Sequence, residues 1–171
     1  AKNLPLVSDA LSYLAKKYKF NHEKTLLGLS KLSLCARLNV MPDSSLLDGA
    51  HNPQAISILV KNIKYYFKKK KFCVIFACMK DKDAAGMIKR LSEIASEFRF
   101  VPLSVLNRKS YSPQELFEIA RNFKMNAKIF KNLKEAVEKK SERKIICGSF
   151  FLAGELLREY FTDEEIINWS K

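Results

Sequence analysis

No run of eighteen apolar residues occurs in this chain, so the sequence offers no membrane-spanning helix. The opening residues, Ala1-Lys2-Asn3-Leu4-Pro5, lack the apolar core of a signal peptide. The chain does not begin with Met, which reads as a piece of something longer. Cys35, Cys73, Cys78 and Cys147 form no C-x-x-C pair and show no metal-ligand spacing, which argues against a zinc site or a disulfide framework. Cys73 and Cys147 fall inside apolar runs and read as buried, reduced thiols, the usage of a cytoplasmic protein.

Chemical engines are missing too. No G-x-x-x-x-G-K-[ST] loop is present, so the chain has no self-sufficient triphosphate site. No G-x-G-x-x-G follows a strand, which speaks against a nicotinamide dehydrogenase. No Ser-His-acid or Cys-His set is spaced for nucleophilic catalysis, and no carboxylate cluster would hold a metal. Arginine is sparse, at Arg37, Arg90, Arg99, Arg108, Arg121, Arg143 and Arg158. The net charge of +13 therefore rests mainly on lysine spread along helix faces, a solvated coat more than a base-reading surface. The one dense run, Lys68-Lys69-Lys70-Lys71, has no interleaved aromatics to stack bases.

What is present suits one α/β domain with an added segment. The 171 residues are 47% hydrophobic, enough for a real core. Two helices are expected first, over residues 8–20 with Ser8 as N-cap, and over residues 22–29 capped by Asn21, with His22 on the surface. Strand and helix then alternate. Strands are expected at 37–41, 45–47, 72–78, 100–106, 127–130 and 144–147. Helices are expected at 54–69, 84–97, 113–123, 133–140 and 150–160, then a short one opened by Thr162 and Glu165 as a capping box. The alternation predicts a doubly wound, mostly parallel sheet.

Such sheets bind ligands at the carboxyl ends of their strands. Four loops there carry polar residues: 48–52, 80–83, 107–110 and 148–149. In Leu46-Leu47-Asp48-Gly49-Ala50-His51-Asn52-Pro53 a strand turns abruptly into a helix, with Asn52 as N-cap and Pro53 at the first helical position. The junction aims unpaired backbone N–H groups at one spot, where anions bind. Gly148-Ser149 repeats the design. Asp-Gly is also a common turn pair and Asn-Pro a common helix start, so spacing alone leaves a purely structural reading open. Anion-receiving loops without an engine suggest half of an active site, completed by another domain.

The residues of these loops resemble a known family. Leu47-Asp48-Gly49-Ala50-His51-Asn52-Pro53 is similar to the Asp-x-Ala-His-Asn-Pro signature of folylpolyglutamate synthases and dihydrofolate synthases, which are Mur-type ATP-dependent amide ligases. Met79-Lys80-Asp81-Lys82-Asp83 resembles their Met-x-Asp-Lys-Asp loop. Asn107-Arg108 with Ser112-Pro113-Gln114-Glu115-Leu116 resembles their Pro-Arg-Ala-x-x-x-x-Glu-Leu segment, and Gly148-Ser149-Phe150-Phe151-Leu152-Ala153-Gly154-Glu155 their Gly-Ser-Leu-Tyr-x-x-Gly-Glu. Three positions depart: Ala36 stands for the Gly before Arg37, Phe151 for a Tyr, and Asn107 for a Pro.

The resemblance implies a Rossmann-like C-terminal domain over residues 34–171, with residues 1–33 as the last helices of a central ATPase domain and a linker. It implies a cytoplasmic enzyme of folate biosynthesis and one-carbon metabolism. That enzyme uses ATP to make an acyl phosphate on a folate, which the amine of L-glutamate then attacks. Arg37, Asp48 and Asn52 would then meet the nucleotide, His51 and Asp48 would lie at the reaction centre, and Lys82 and Ser149 would hold the glutamate. Magnesium would be held mainly by the part before Ala1, with no metal ligand in this chain. The expected partners are L-glutamate, a folate and the remaining domains of a monomeric enzyme, without nucleic acid or membrane. The alternatives are a Mur-type ligase acting on cell-wall precursors and a basic nucleic-acid-binding module.

Overall fold

A computed structural model describes residues 4–30 and 33–169. These divide into two compact units: residues up to Leu34 together with Trp169, and Cys35–Asn168.

The first unit contains α1 (Leu4–Tyr18) and α2 (His22–Ser30). Helix α1 begins four residues before the expected start. Pro5 is compatible with that first turn, where a missing N–H costs nothing. Ser8 is therefore inside the helix and is not its cap. Its carbonyl and the Ser12 hydroxyl lie 3.4 and 3.1 Å from His22 Nε2, so His22 joins the two helices. Asn21 caps α2 as expected, accepting the Lys24 N–H at 2.8 Å.

The second unit is a six-stranded sheet between helices. The chain-order elements are β1 (Asn39–Val40), β2 (Leu46–Leu47), α3 (Pro53–Phe67), β3 (Phe72–Phe76), α4 (Ala84–Leu91), β4 (Ala95–Phe100), α5 (Pro113–Asn122), β5 (Ala127–Ile129), α6 (Leu133–Glu138), β6 (Lys144–Cys147), α7 (Phe150–Tyr160) and α8 (Asp163–Ile167). The strand order is β1-β2-β6-β3-β4-β5. Only β1 runs antiparallel, against β2; every other neighbouring pair is parallel. The register sets Val74 beside Ile145 and Phe98, and Phe76 beside Cys147 and Phe100. All five residues of β3 are buried, as a central strand covered on both faces requires. Crossovers through α3, α4 and α5 advance in one direction, so right-handedness puts these helices on one face. The return from β5 to β6 reverses direction and sends α6 to the other face, where α7 joins it.

Each helix has a local reason to start. Asn52, Asp83, Ser112, Asn132, Ser149 and Thr162 accept a backbone N–H of the helix they open, and Ser112–Glu115 and Thr162–Glu165 complete capping boxes. Ile56, Leu59, Val60 and Ile63 of α3 and Met87, Ile88 and Leu91 of α4 are buried against Phe76, Phe98 and Phe100. Each contributes roughly 1.5–3 kcal/mol of burial. On the opposite face Leu133 and Val137 of α6 and Leu152, Leu156 and Leu157 of α7 are buried. No helix among the described residues is long and apolar enough to cross a membrane.

The sequence reading misplaced one pairing. The helix expected over 84–97 ends at Leu91, and the strand expected over 100–106 lies at Ala95–Phe100. Two charges, Glu97 and Arg99, disguised this strand. They share one face, where Arg99 Nε donates to Glu97 at 2.8 Å. The Arg99 guanidinium is 3% exposed and also donates to the carbonyls of Ala136, Lys139 and Lys140, at and just beyond the end of α6. Glu97 additionally pairs with Lys128 of β5. The charges thus satisfy one another and the helix's negative end, which permits their burial. Elsewhere β1 shrinks from five expected residues to two.

Replacing Arg99 with Met removes the donor while leaving Glu97 and three carbonyls under cover. Arg99→Met should lower unfolding free energy by about 3 kcal/mol in denaturant titration. A loss below about 1 kcal/mol would show that solvent replaces the guanidinium.

Candidate functional site

The parallel strands of the second unit end along one edge of the sheet, and the four polar loops lie there. At the exit of β6, Gly148 takes φ +108, a conformation open to glycine. A Cβ at this position would stand 2.4 Å from the Ala77 carbonyl oxygen, beyond the end of β3. The turn brings Ser149 to the start of α7. Ser149 is 2% exposed; its Oγ accepts the Phe151 N–H at 3.1 Å and keeps its own hydrogen to donate. The exit of β2 is tied in alongside, with the Gly148 N–H donating to the Ala50 carbonyl at 2.8 Å.

The other two loops are fastened to each other. Lys80 N–H donates to the Lys109 carbonyl at 2.9 Å, and Tyr111 N–H to the Cys78 carbonyl at 3.0 Å. Met79 and Ser110 form a bridge between these bonds. Asn107 turns the second loop with φ +59, the left-handed region that Asn tolerates where Pro could not follow. Arg108 is thereby placed opposite Asp81 and Lys82. Lys82 Nζ lies 2.9 Å, and Arg108 Nη2 3.6 Å, from the same Asp81 oxygen. The Lys82 hydrogen bond chiefly holds the Asp81 carboxyl below the ordinary aspartate range, with Arg108 adding to it.

His51, Met79, Lys82, Arg108, Gly148, Ser149, Phe150 and Phe151 line one hollow of about 270 Å³. All four expected loops contribute. Three of the sequence-derived site residues, His51, Lys82 and Ser149, meet there. His51 Nδ1 lies 2.9 Å from the Gly49 carbonyl, which can only accept, so Nδ1 carries a hydrogen and neutral His51 presents Nε2 as an acceptor. Two wider depressions, about 690 and 710 Å³, are shallow surface troughs, one beside Lys128 and Glu138 and the other at Tyr66–Lys70. Neither gathers the strand-end loops.

The remaining expected residues stand at the margin. Arg37 lies with its guanidinium carbon 4.9 Å from the centre of the Phe150 ring, so it borders the hollow through that ring. The preceding Ala36 is buried at φ +53, a left-handed turn costing an alanine about 1 kcal/mol. The Asn52 amide oxygen is committed to the cap of α3, accepting the Ala55 N–H at 2.9 Å. Asp48 turns its carboxylate away into the backbone: Oδ2 accepts from Leu38 N–H at 3.0 Å and Oδ1 from Ala50 N–H at 2.8 Å. It thus ties the Arg37 segment to the His51 loop.

Arg108 belongs to the 107–110 loop and its motif, and the structure adds its side chain to the hollow. Its guanidinium carbon lies 5.5 Å from the centre of the Phe151 ring, so both neighbouring rings of α7's first turn carry an arginine. The motif match was the available signal; its partnership with Lys82 was not visible in one sequence. Among the described residues no group of three or more His, Cys, Asp or Glu could hold a metal. Cys78 is no nucleophile at neutral pH, since burial pushes its thiol up to about 12.

A sequence model described as Mur ligase, glutamate ligase domain matches residues 36–148. The chain belongs to this family. A dihydrofolate synthase/folylpolyglutamate synthase of Bacillus subtilis is 33% identical over 95 residues, covering 52% of this chain and 22% of that protein. A bifunctional folylpolyglutamate synthase/dihydrofolate synthase from Yersinia pestis, solved with AMPPNP and Mn ion, superposes with a TM-score of 0.63 at 28% identity. It covers 74% of this chain and 31% of that one. Another solved bifunctional enzyme, with Mn, AMPPNP and L-glutamate bound, gives 0.61 at 28% identity, covering 74% and 32%. The chain thus spans less than a third of the length of these relatives. The fold resemblance is that of a Mur ligase glutamate ligase domain, and the hollow lies at its strand-end edge.

Burial outweighs the backbone hydrogen bonds and Arg37 at Asp48 and raises its carboxyl above the ordinary aspartate value of about 3.9. The folded chain then holds that proton to higher pH than the unfolded chain does. Stability should fall as pH rises from the unfolded value through the folded one, and level off above it. A carbon-detected NMR titration should give Asp48 a midpoint above about 3.9; a midpoint at or below that value would contradict the burial argument.

Proposed function

We propose that this chain is the C-terminal domain of an ATP-dependent ligase that joins L-glutamate to a folate, dihydropteroate or a folylpolyglutamate. The observation that carries the reading is the meeting of Lys82, Arg108, His51 and Ser149 in one hollow at the start of α7. A small dicarboxylic amino acid matches that set. Ser149 and the first N–H groups of α7 suit one carboxylate, and the Lys82 and Arg108 cations suit the other. The His51 Nε2 acceptor suits the amine, and would accept its proton as the amide forms.

Arg37 and Asn52 are proposed as nucleotide-side residues. Asp48 is proposed to act beside His51 at the reaction centre by fixing both the Arg37 segment and the His51 loop. ATP, when bound, supplies the phosphoryl group that activates the folate carboxylate as an acyl phosphate. Magnesium is proposed to be held mainly by the rest of the longer enzyme, in its central domain. Residues 1–33 are proposed as the last helices of that central domain and a linker. Closure of the two parts over the hollow would exclude water from the activated carboxylate. The whole enzyme is read as cytoplasmic and monomeric.

The test uses the full-length enzyme with ATP, L-glutamate and either dihydropteroate or a reduced folate. Ser149→Ala and Lys82→Ala should each raise KM for L-glutamate about tenfold or more, with little change in KM for ATP. Unchanged KM for glutamate in both variants would refute the site. Wild-type ligation to a UDP-linked cell-wall precursor, in place of a folate, would move the chain to another branch of the family.

A further inference from the structure

We propose that Asp81 is an internal stand-in for the ligand's carboxylate: it engages the Lys82–Arg108 cation pair, and an incoming carboxylate must displace it. The inference rests on the dicarboxylate reading of the hollow and adds a residue that sets its affinity.

Three observations place Asp81 in this role. One of its oxygens faces both cations, at 2.9 Å from Lys82 Nζ and 3.6 Å from Arg108 Nη2. The arrangement is built by the backbone, since the loops bearing Asp81 and Arg108 are fastened by the Lys80–Lys109 and Cys78–Tyr111 bonds and the Met79–Ser110 bridge. The nearby acids are engaged elsewhere. Asp83 caps α4 through Gly86 N–H, Glu115 takes Lys80 and Ser112, and Asp48 takes Leu38 and Ala50 N–H groups.

The consequence is electrostatic. Asp81 is exposed on its outer side, with 57% of its side chain open, so it can swing out without unpacking anything. While it stays, it balances one of the two positive charges, and a lone anion gains less by entering. A dicarboxylate gains a second contact at Ser149 and the α7 N-terminus, which offsets the displacement. Asp81 thereby lowers affinity for every carboxylate by a common factor, a threshold that a ligand with the second contact clears and a single anion does not. An exposed ion pair is weak enough for such exchange to be rapid.

The test is Asp81→Asn, which keeps the side chain's shape and removes its charge. In the full-length enzyme KM for L-glutamate should fall about two- to fivefold, and acetate should become a stronger competitor. The fall should shrink as salt is raised. A KM for glutamate that is unchanged or raised, with the wild type ligating normally, overturns the stand-in and leaves the ligase reading intact. Failure of the wild type to ligate glutamate counts against the ligase reading, and a second arm then decides the present one. Malonate titrated into this chain, followed by NMR, should half-saturate the Asp81→Asn hollow at lower concentration than the wild type. Equal or higher half-saturation overturns the proposal. The unfolding midpoint of Asp81→Asn should match the wild type, separating a ligand effect from a folding one.

Discussion

The parallel pairing of β2, β6, β3, β4 and β5 is the constraint from which the site follows. Parallel strands end at the same edge, so the loops leaving β2, β3 and β6 must emerge side by side. The glycine turn at Gly148 sets how closely the exits of β6 and β3 approach, because nothing larger fits beside the Ala77 carbonyl. Ser149 and the start of α7 then fall next to His51. The reach of Lys82 and Arg108 into the same hollow depends on a second constraint, the backbone fastening of two loops separated by about thirty residues of chain. Charge gathers here by topology, which brings Lys82 and Arg108 to one hollow.

The first turn of α7 organises the margins of this hollow. Phe150 lies 5.0 Å from the His51 ring and carries Arg37, while Phe151 carries Arg108. Gly49 is where the chain admits the Phe150 ring, whose nearest atom would stand 2.2 Å from any Cβ placed there. Two arginines are therefore held on aromatic faces, with fewer rotamers to lose when an anion arrives. The departure from the family's tyrosine at Phe151 leaves this platform apolar and keeps the ring that the guanidinium uses.

The sequence was most legible where a strong local signal coincided with the long-range arrangement. Buried runs such as Phe72–Phe76, the caps at Asn52, Asn132 and Ser149, and the capping box at Thr162 could be read directly, while the box at Ser112 emerged only in the structure. Strand β4 could not, because Glu97 and Arg99 look like surface residues until their partners on β5 and beyond α6 are known. Asp48 shows a related limit within the site: the resemblance implied a nucleotide contact, and only the structure shows that its carboxylate also accepts two backbone N–H groups. Arg108 became a site residue only through hydrogen bonds between loops far apart in sequence. Local chemistry named the loops, and pairing at a distance decided which side chains meet.

The central claim is that these strand-end loops form a receptor for a small dicarboxylate. It is tested most directly by amide chemical-shift mapping as L-glutamate is added to the isotopically labelled chain. Saturable shifts at His51, Lys82, Arg108, Ser149 and Phe151, with little change at Lys68–Lys71 or along α6, are the predicted result. Saturable shifts centred on the lysine run or on the trough beside Lys128, with the strand-end loops silent, would contradict the account.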